Sequence, residues 1–174
     1  LLLSQGQIEA QDLLNKIHFI HTHLPESQRR LINGYNRERL IFQDSYAEVR
    51  ALPSTDKAGH GFQATMVTRD ELARHEFARE NFKAVSRSGG KLVELSTANK
   101  TDSDNYFQEK TGEFYHRPGT LKKVFPSGLA LYTNPEYPKT CLVFLGWKLR
   151  PVRKEGLSLE EWYTLNVEKR LSLI

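Results

Sequence analysis

The stretch from Ala64 to Thr97 constrains this chain more than any other. A short apolar run, ATMVT (64–68), is followed by DELARHEFARENFKAV and then by a second apolar run, KLVELST (91–97). The middle segment repeats Ala73, Phe77, Ala78, Phe82 and Val85 on one helical face. Leu92, Val93 and Leu95 suit a buried strand. A strand–helix–strand order with apolar strands buried on both faces predicts an α/β fold with a mainly parallel sheet.

The flanking segments extend this pattern. In QIEAQDLLNKIHFIHTHL, Ile8, Leu13, Leu14, Ile17, Ile20 and Leu24 predict an amphipathic helix that ends near Pro25. RLIFQ (39–43) and AEVRALP (47–53) read as two strands joined at Asp44-Ser45, a pair that also fits a local hairpin at an edge. STDKAGHG (54–61) is a loop. After the polar loop ANKTDSD, a helical pattern carries Tyr106, Phe107, Phe114 and Tyr115 and stops at Pro118-Gly119. TCLVFLGW (140–147) is apolar enough for a central strand. A capping box from Ser158 to Glu161 opens a last helix ahead of Trp162.

At 174 residues the chain fits one domain with a real core, and its 39% hydrophobic and 26% charged residues are an ordinary globular balance. No apolar run is long enough to cross a membrane. Leu1-Leu2-Leu3 is too short for a secretory signal. The single cysteine, Cys141, cannot form an internal disulfide, so a reducing setting is expected. A net charge of +4, with scattered basic residues, tolerates a polyanionic partner without demanding one. The chain starts without Met and stops within a helical pattern, so both ends are expected to be cuts through a larger protein.

The chemistry concentrates at the expected strand ends. Asp70-Glu71 follows one strand, and Ser96-Thr97 closes the next. In open parallel sheets the crevice beyond the carboxyl ends of the strands is the ligand site. If the two strands are neighbours, two carboxylates and two hydroxyls line one crevice. That set suits phosphoryl chemistry: an aspartate for a hydrated magnesium ion and a glutamate to orient water. Carboxylates also gather in first helical turns, where they complement the helix dipole. The surface-helix alternative therefore stands beside the catalytic one.

The succession AEVRALPSTDKAGHGFQATMVTRDELARH and GGKLVELSTANKTDSDNYFQEK resembles the ATPase domain of large terminase subunits, the DNA-packaging motors of tailed bacteriophages. LLNKIHFIHTHLPESQRR resembles the helix before that core. FLGWKLRPVRKEGLSLEEWY resembles the segment leading toward the family's nuclease. The resemblance implies a three-layer P-loop NTPase fold of the RecA-like kind, incomplete on its N-terminal side. Residues 1–150 would be the C-terminal portion of the ATPase domain, and 151–174 the start of a linker.

It implies that Asp70 is the Walker B magnesium-site aspartate and Glu71 the base that activates water. Ser96, Thr97 and Asn99 would form the coupling motif. His60 lies where relatives often carry an arginine, and Arg69 precedes the carboxylates; each is a candidate nucleotide or subunit contact, with a loop histidine and a surface arginine as the plain alternatives. His18, His21, His23, His75 and His116 form no ligand pattern and are read as surface residues.

The implied cofactors are ATP and Mg²⁺. The implied partners are double-stranded DNA, the portal protein, the small terminase subunit and further copies of the chain in a ring on the procapsid, in the cytoplasm of a bacterial host. No G-x-x-x-x-G-K-[ST] occurs. Ser88-Gly89-Gly90-Lys91 is followed by Leu92 instead of a hydroxyl, and it precedes the wrong strand. The chain alone is therefore expected to hydrolyse ATP poorly or not at all. A helicase-core fragment and a non-catalytic module binding DNA or motor subunits are the alternative readings.

Overall fold

The structure, a computed structural model, describes residues 1–87, 90–99, 105–125 and 129–145. It divides into two compact units, Leu1–Glu109 and Lys110–Ile174. The expected boundary at 150, the capping box at Ser158 and both tryptophans lie outside the described residues.

The first unit is an α/β unit built on a six-stranded sheet. Its strands are β1 (Leu2–Ser4), β2 (Ile32–Tyr35), β3 (Arg39–Phe42), β4 (Glu48–Pro53), β5 (Met66–Arg69) and β6 (Lys91–Glu94), in the order β2-β3-β4-β1-β5-β6. The pairs β4-β1, β1-β5 and β5-β6 are parallel, while β2-β3 and β3-β4 are antiparallel. The 39–53 hairpin is real, but β4 is an interior strand that joins the antiparallel ribbon to the parallel sheet.

In the interior of the sheet is β1, a segment that the sequence reading assigns to no strand. Leu1-Leu2-Leu3-Ser4 is too short to show a period. Its burial comes from two parallel neighbours, β4 and β5. Successive side chains on a strand face opposite ways. Leu2 therefore packs with Ala10, Leu14, Leu40 and Ala51, while Leu3 packs with Ala58, Val67 and Val85.

The first of these clusters lies under helix α1 (Gln7–Thr22) and the second under helix α2 (Ala78–Ser86), so helices flank the sheet on both faces. Helix α1 turns a narrower stripe inward than expected: Ala10, Leu14 and His21 are buried, while Ile8 and Ile20 are exposed. The surface reading of His21 is thereby corrected; its ring lies 5.5 Å from that of Phe42.

The continuous helix expected from Asp70 to Val85 is interrupted. Glu71 adopts a left-handed conformation (φ 52, ψ 41), a 3₁₀ turn covers Leu72–Arg74, and α2 begins only at Ala78. Ala73, Ala78 and Val85 are buried nonetheless. The apolar period survives in the packing although the backbone breaks.

In the second unit, β7 (Leu121–Val124), β8 (Leu129–Thr133) and β9 (Cys141–Leu145) form an antiparallel sheet in that order. The run expected to be a central strand is thus β9, on the outside of a separate sheet, with Val143, Phe144 and Leu145 exposed. Its apolar composition is real, but the neighbours that would bury it are absent among the described residues. Helix α3 (Tyr106–Tyr115) spans the division between the units, and its Phe114 packs with Ala130 and Tyr132 in the second.

Candidate functional site

Each parallel strand of the first unit delivers its carboxyl end to the same edge of the sheet. The chain leaves β1 through α1 and returns to β4 on one side. It leaves β5 through α2 and returns to β6 on the other. The connections therefore diverge between β1 and β5, and the crevice at such a switch point is where open α/β sheets bind ligands. Asp70-Glu71 stands at this point, directly after β5.

Backbone bonds fix the pair from both sides. The Asp70 N–H donates to the Leu3 carbonyl of β1 at 2.9 Å, and the Leu72 N–H donates to the Leu95 carbonyl beyond β6 at 3.2 Å. Between these anchors Glu71 occupies the left-handed region, a conformation that costs an L-residue about 1–2 kcal/mol. Strain of this kind persists only where the surroundings over-determine it, and it concentrates at functional sites.

The sheet brings the two strand ends together. The Thr97 hydroxyl donates to Glu71 Oε2 at 3.0 Å, across 26 residues of sequence. Ser96 Oγ accepts the Ala73 N–H at 3.1 Å and donates to the Thr97 carbonyl. Asn99 Nδ2 approaches the Ala73 carbonyl at 3.4 Å. Asp70, Glu71, Ser96, Thr97 and Asn99 thus form one cluster, with Arg74 Nε 3.8 Å from Glu71.

Partial burial pushes the Asp70 carboxyl above its ordinary range. The Glu71 N–H and the Lys16 ammonium pull it down, and the Glu71 carboxylate pushes it up. A cation in the crevice would favour the ionised form. Among the described residues no group of three or more His, Cys, Asp or Glu could hold a metal ion; magnesium usually takes only one or two protein carboxylates and completes its shell with water and phosphate.

His60 and Arg69 lie elsewhere. His60 is exposed in the turn after β4. Its neighbour Gly59, at φ 86, sits where an added Cβ would meet the Val85 side chain at 2.7 Å. Val85 is in the last turn of α2, toward the amino ends of the strands, so this turn is directed away from Asp70. Arg69 corrects the surface reading outright: it is 0% exposed. Its guanidinium bonds to Glu94, to the Ala78 carbonyl and to Asn81, leaving no surface from which to reach a nucleotide or another subunit.

Gly90 also lies at the far end of the sheet. Its backbone approaches Ala64 and Thr65 so closely that a Cβ would stand 2.1 Å from the Ala64 carbonyl. Gly90 therefore serves strand packing at the amino ends, opposite Asp70.

Three features of the site and of the structure beneath it escaped sequence reasoning. Ser4 closes β1, and Gln5 and Gly6 follow it, at the same edge of the sheet as Asp70; the signal was an apolar run closed by polar and glycine residues, the same grammar as ATMVT before Asp-Glu. His75, expected on the surface, is 8% exposed and its Nε2 lies 2.8 Å from the Asp70 carbonyl. Burial pushes its imidazole down to about 4, so the ring is neutral near pH 7 and its Nε2–H donates to that carbonyl. Glu94 is the third, as the partner of Arg69.

A separate cavity of about 300 Å³ lies along β3 and β4, lined by Asn36, Arg39, Arg50 and Pro53, and shares no lining residue with the crevice. Among the described residues no helix is long and apolar enough to cross a membrane. No protein-family model and no curated protein matches the chain.

Proposed function

We propose that this chain is part of the ATPase motor of a phage large terminase, carrying its Walker B and coupling motifs. The observation that carries the reading is the 3.0 Å bond from the Thr97 hydroxyl to the Glu71 carboxylate at the switch point of a mostly parallel sheet. Two sequence segments that resemble separate motifs of one family meet there in space.

In this reading Asp70 orients the water shell of a magnesium ion, which when bound would neutralise charge on the phosphates. Glu71 accepts the proton of the attacking water. Thr97 holds the Glu71 carboxylate in one rotamer. Ser96 and Asn99 grip the N–H and the carbonyl of Ala73, so a shift of the 95–99 segment moves the backbone just after Glu71. That linkage is the coupling of hydrolysis to movement of double-stranded DNA into the procapsid. The work would be done by a ring of copies at the portal, with the small terminase subunit, in the cytoplasm of a bacterial host.

The phosphate-holding half of the site must come from a loop that the 174 residues do not contain. Strands β4, β1 and β5 are paired on both edges, whereas β6 is paired on one edge among the described residues. Leu92 and Val93 there are 36% and 37% exposed. A strand added at β6 would bring its own carboxyl end about 10 Å from that of β5, two strand spacings away. That is the reach of a bound triphosphate.

The test uses the intact protein that includes a phosphate loop. Glu71→Gln is expected to abolish ATP turnover while ATP binding persists. Turnover retained in that variant would sink the role given to Glu71.

A further inference from the structure

Arg69 stands one residue before Asp70, and Glu94 stands two residues before Ser96. The two are register partners on β5 and β6. A fully buried guanidinium is costly unless it is paired and hydrogen-bonded. Arg69 Nη1 donates to the Glu94 carboxylate on β6, and Nη2 donates to the Ala78 carbonyl at the start of α2 and to Asn81 Oδ1 at 2.6 Å, while Nε has no partner among the described residues. The Asn81 amide continues to Ser54 Oγ at 2.9 Å, just after β4. The Tyr106 ring lies 5.3 Å from the guanidinium carbon. Arg69 thus ties together β5, β6 and α2, and Asn81 extends the network to the end of β4.

A hydrophobic residue at this position could fill the same volume. Hydrophobic contact is non-directional, however, and resists displacement of β6 along β5 less sharply than a directional bond does. Charge-assisted bonds are directional and do oppose it. Sliding matters because β6 has a neighbour on one side only among the described residues, and one residue of slip is about 3.3 Å. That displacement would part Thr97 from Glu71.

We propose that Arg69, acting through Glu94, is a positioning residue that holds the carboxyl end of β6 in register with β5 and so keeps Thr97 on Glu71. The role rests on the ATPase reading of the crevice. It touches no reacting atom, and its effect on hydrolysis is exerted through the Glu71–Thr97 geometry.

The test compares R69M/E94L, which replaces the pair with apolar side chains and leaves no unpaired charge, with R69K. Amide hydrogen exchange is measured in the 174-residue chain. The Leu72 and Ala73 amides, bonded to Leu95 and Ser96, are expected to exchange about tenfold faster in R69M/E94L. The Phe42 and Ala51 amides, bonded within the β2–β4 ribbon, are expected to stay unchanged, and R69K to restore part of the protection. Acceleration of all four amides together, or of none, would overturn the proposal. Should the double variant fail to fold, the same comparison on E94Q decides.

In the intact protein, R69M/E94L is expected to lower kcat for ATP about tenfold with KM unchanged, the signature of misplaced catalytic groups. Absence of turnover in the wild-type protein would remove the ATPase reading itself. Normal kcat in the variant beside an active wild type would remove only the positioning role.

Discussion

Replacing Glu71 with glycine and, separately, with alanine distinguishes the left-handed site from an ordinary helix start by the sign of one difference. Both variants lose the Thr97 hydrogen bond and the Arg74 contact, so those losses cancel. What remains is the backbone at φ 52, ψ 41. Alanine keeps the strain of about 1–2 kcal/mol, which glycine does not feel. Glycine instead loses about 0.5–1 kcal/mol more conformational entropy on folding. The glycine variant should therefore be the more stable by about 0.5–1 kcal/mol. With a denaturation slope of about 1–3 kcal/mol/M, its urea midpoint should lie roughly 0.3 M higher. If Asp70-Glu71 were the first turn of a helix, alanine would be ahead by up to about 1 kcal/mol. The assay is urea unfolding followed by far-UV circular dichroism. An alanine midpoint equal to or above that of glycine would refute the left-handed placement of Glu71.

The buried His75 makes stability depend on pH. Its folded value of about 4 lies below the ordinary 6.5, so the unfolded chain binds more protons between these limits. Its contribution is complete above pH 6.5 and is lost as pH falls toward 4. Asp70, with its raised carboxyl, works the other way, contributing when protonated and losing that contribution as pH rises. Urea midpoints across this window should fall with pH in the wild type and fall less in His75→Gln; identical profiles would contradict the buried neutral ring. In the core, Leu3→Ala should cost about 2–5 kcal/mol, because Leu3 is 0% exposed between two parallel neighbours. Val143→Ala, on exposed β9, should stay within about 0.5 kcal/mol in the same unfolding measurement.

Legibility in the sequence followed length and period. Helix α1 and strands β3, β4, β5 and β6 could be read because each carries a run of several residues with a definite apolar pattern. Strand β1 could not, since three residues show no period, and only pairing with β4 and β5 makes it central. The break after Glu71 was also hidden. Ala73, Ala78 and Val85 are all buried, Ala78 with Leu72 and Tyr106 and Val85 with Leu3 and Val67, whatever the backbone does between them. For the site, the residue types at the two strand ends were readable, and their meeting was an inference from strand adjacency.

Arg69 marks the boundary most sharply. In sequence it is a charged residue beside two carboxylates, and such a residue is ordinarily on the surface. Its burial depends on Glu94 of β6 and on Ala78 and Asn81 of α2 arriving from two other elements, and no local pattern encodes that convergence. The primary structure specified what each segment prefers through residue chemistry and periodicity: strand or helix, carboxylate or hydroxyl at a strand end. Long-range pairing specified the rest, because strand order, the left-handed turn at Glu71 and the 3.0 Å contact with Thr97 arise only when segments remote in the chain are hydrogen-bonded side by side.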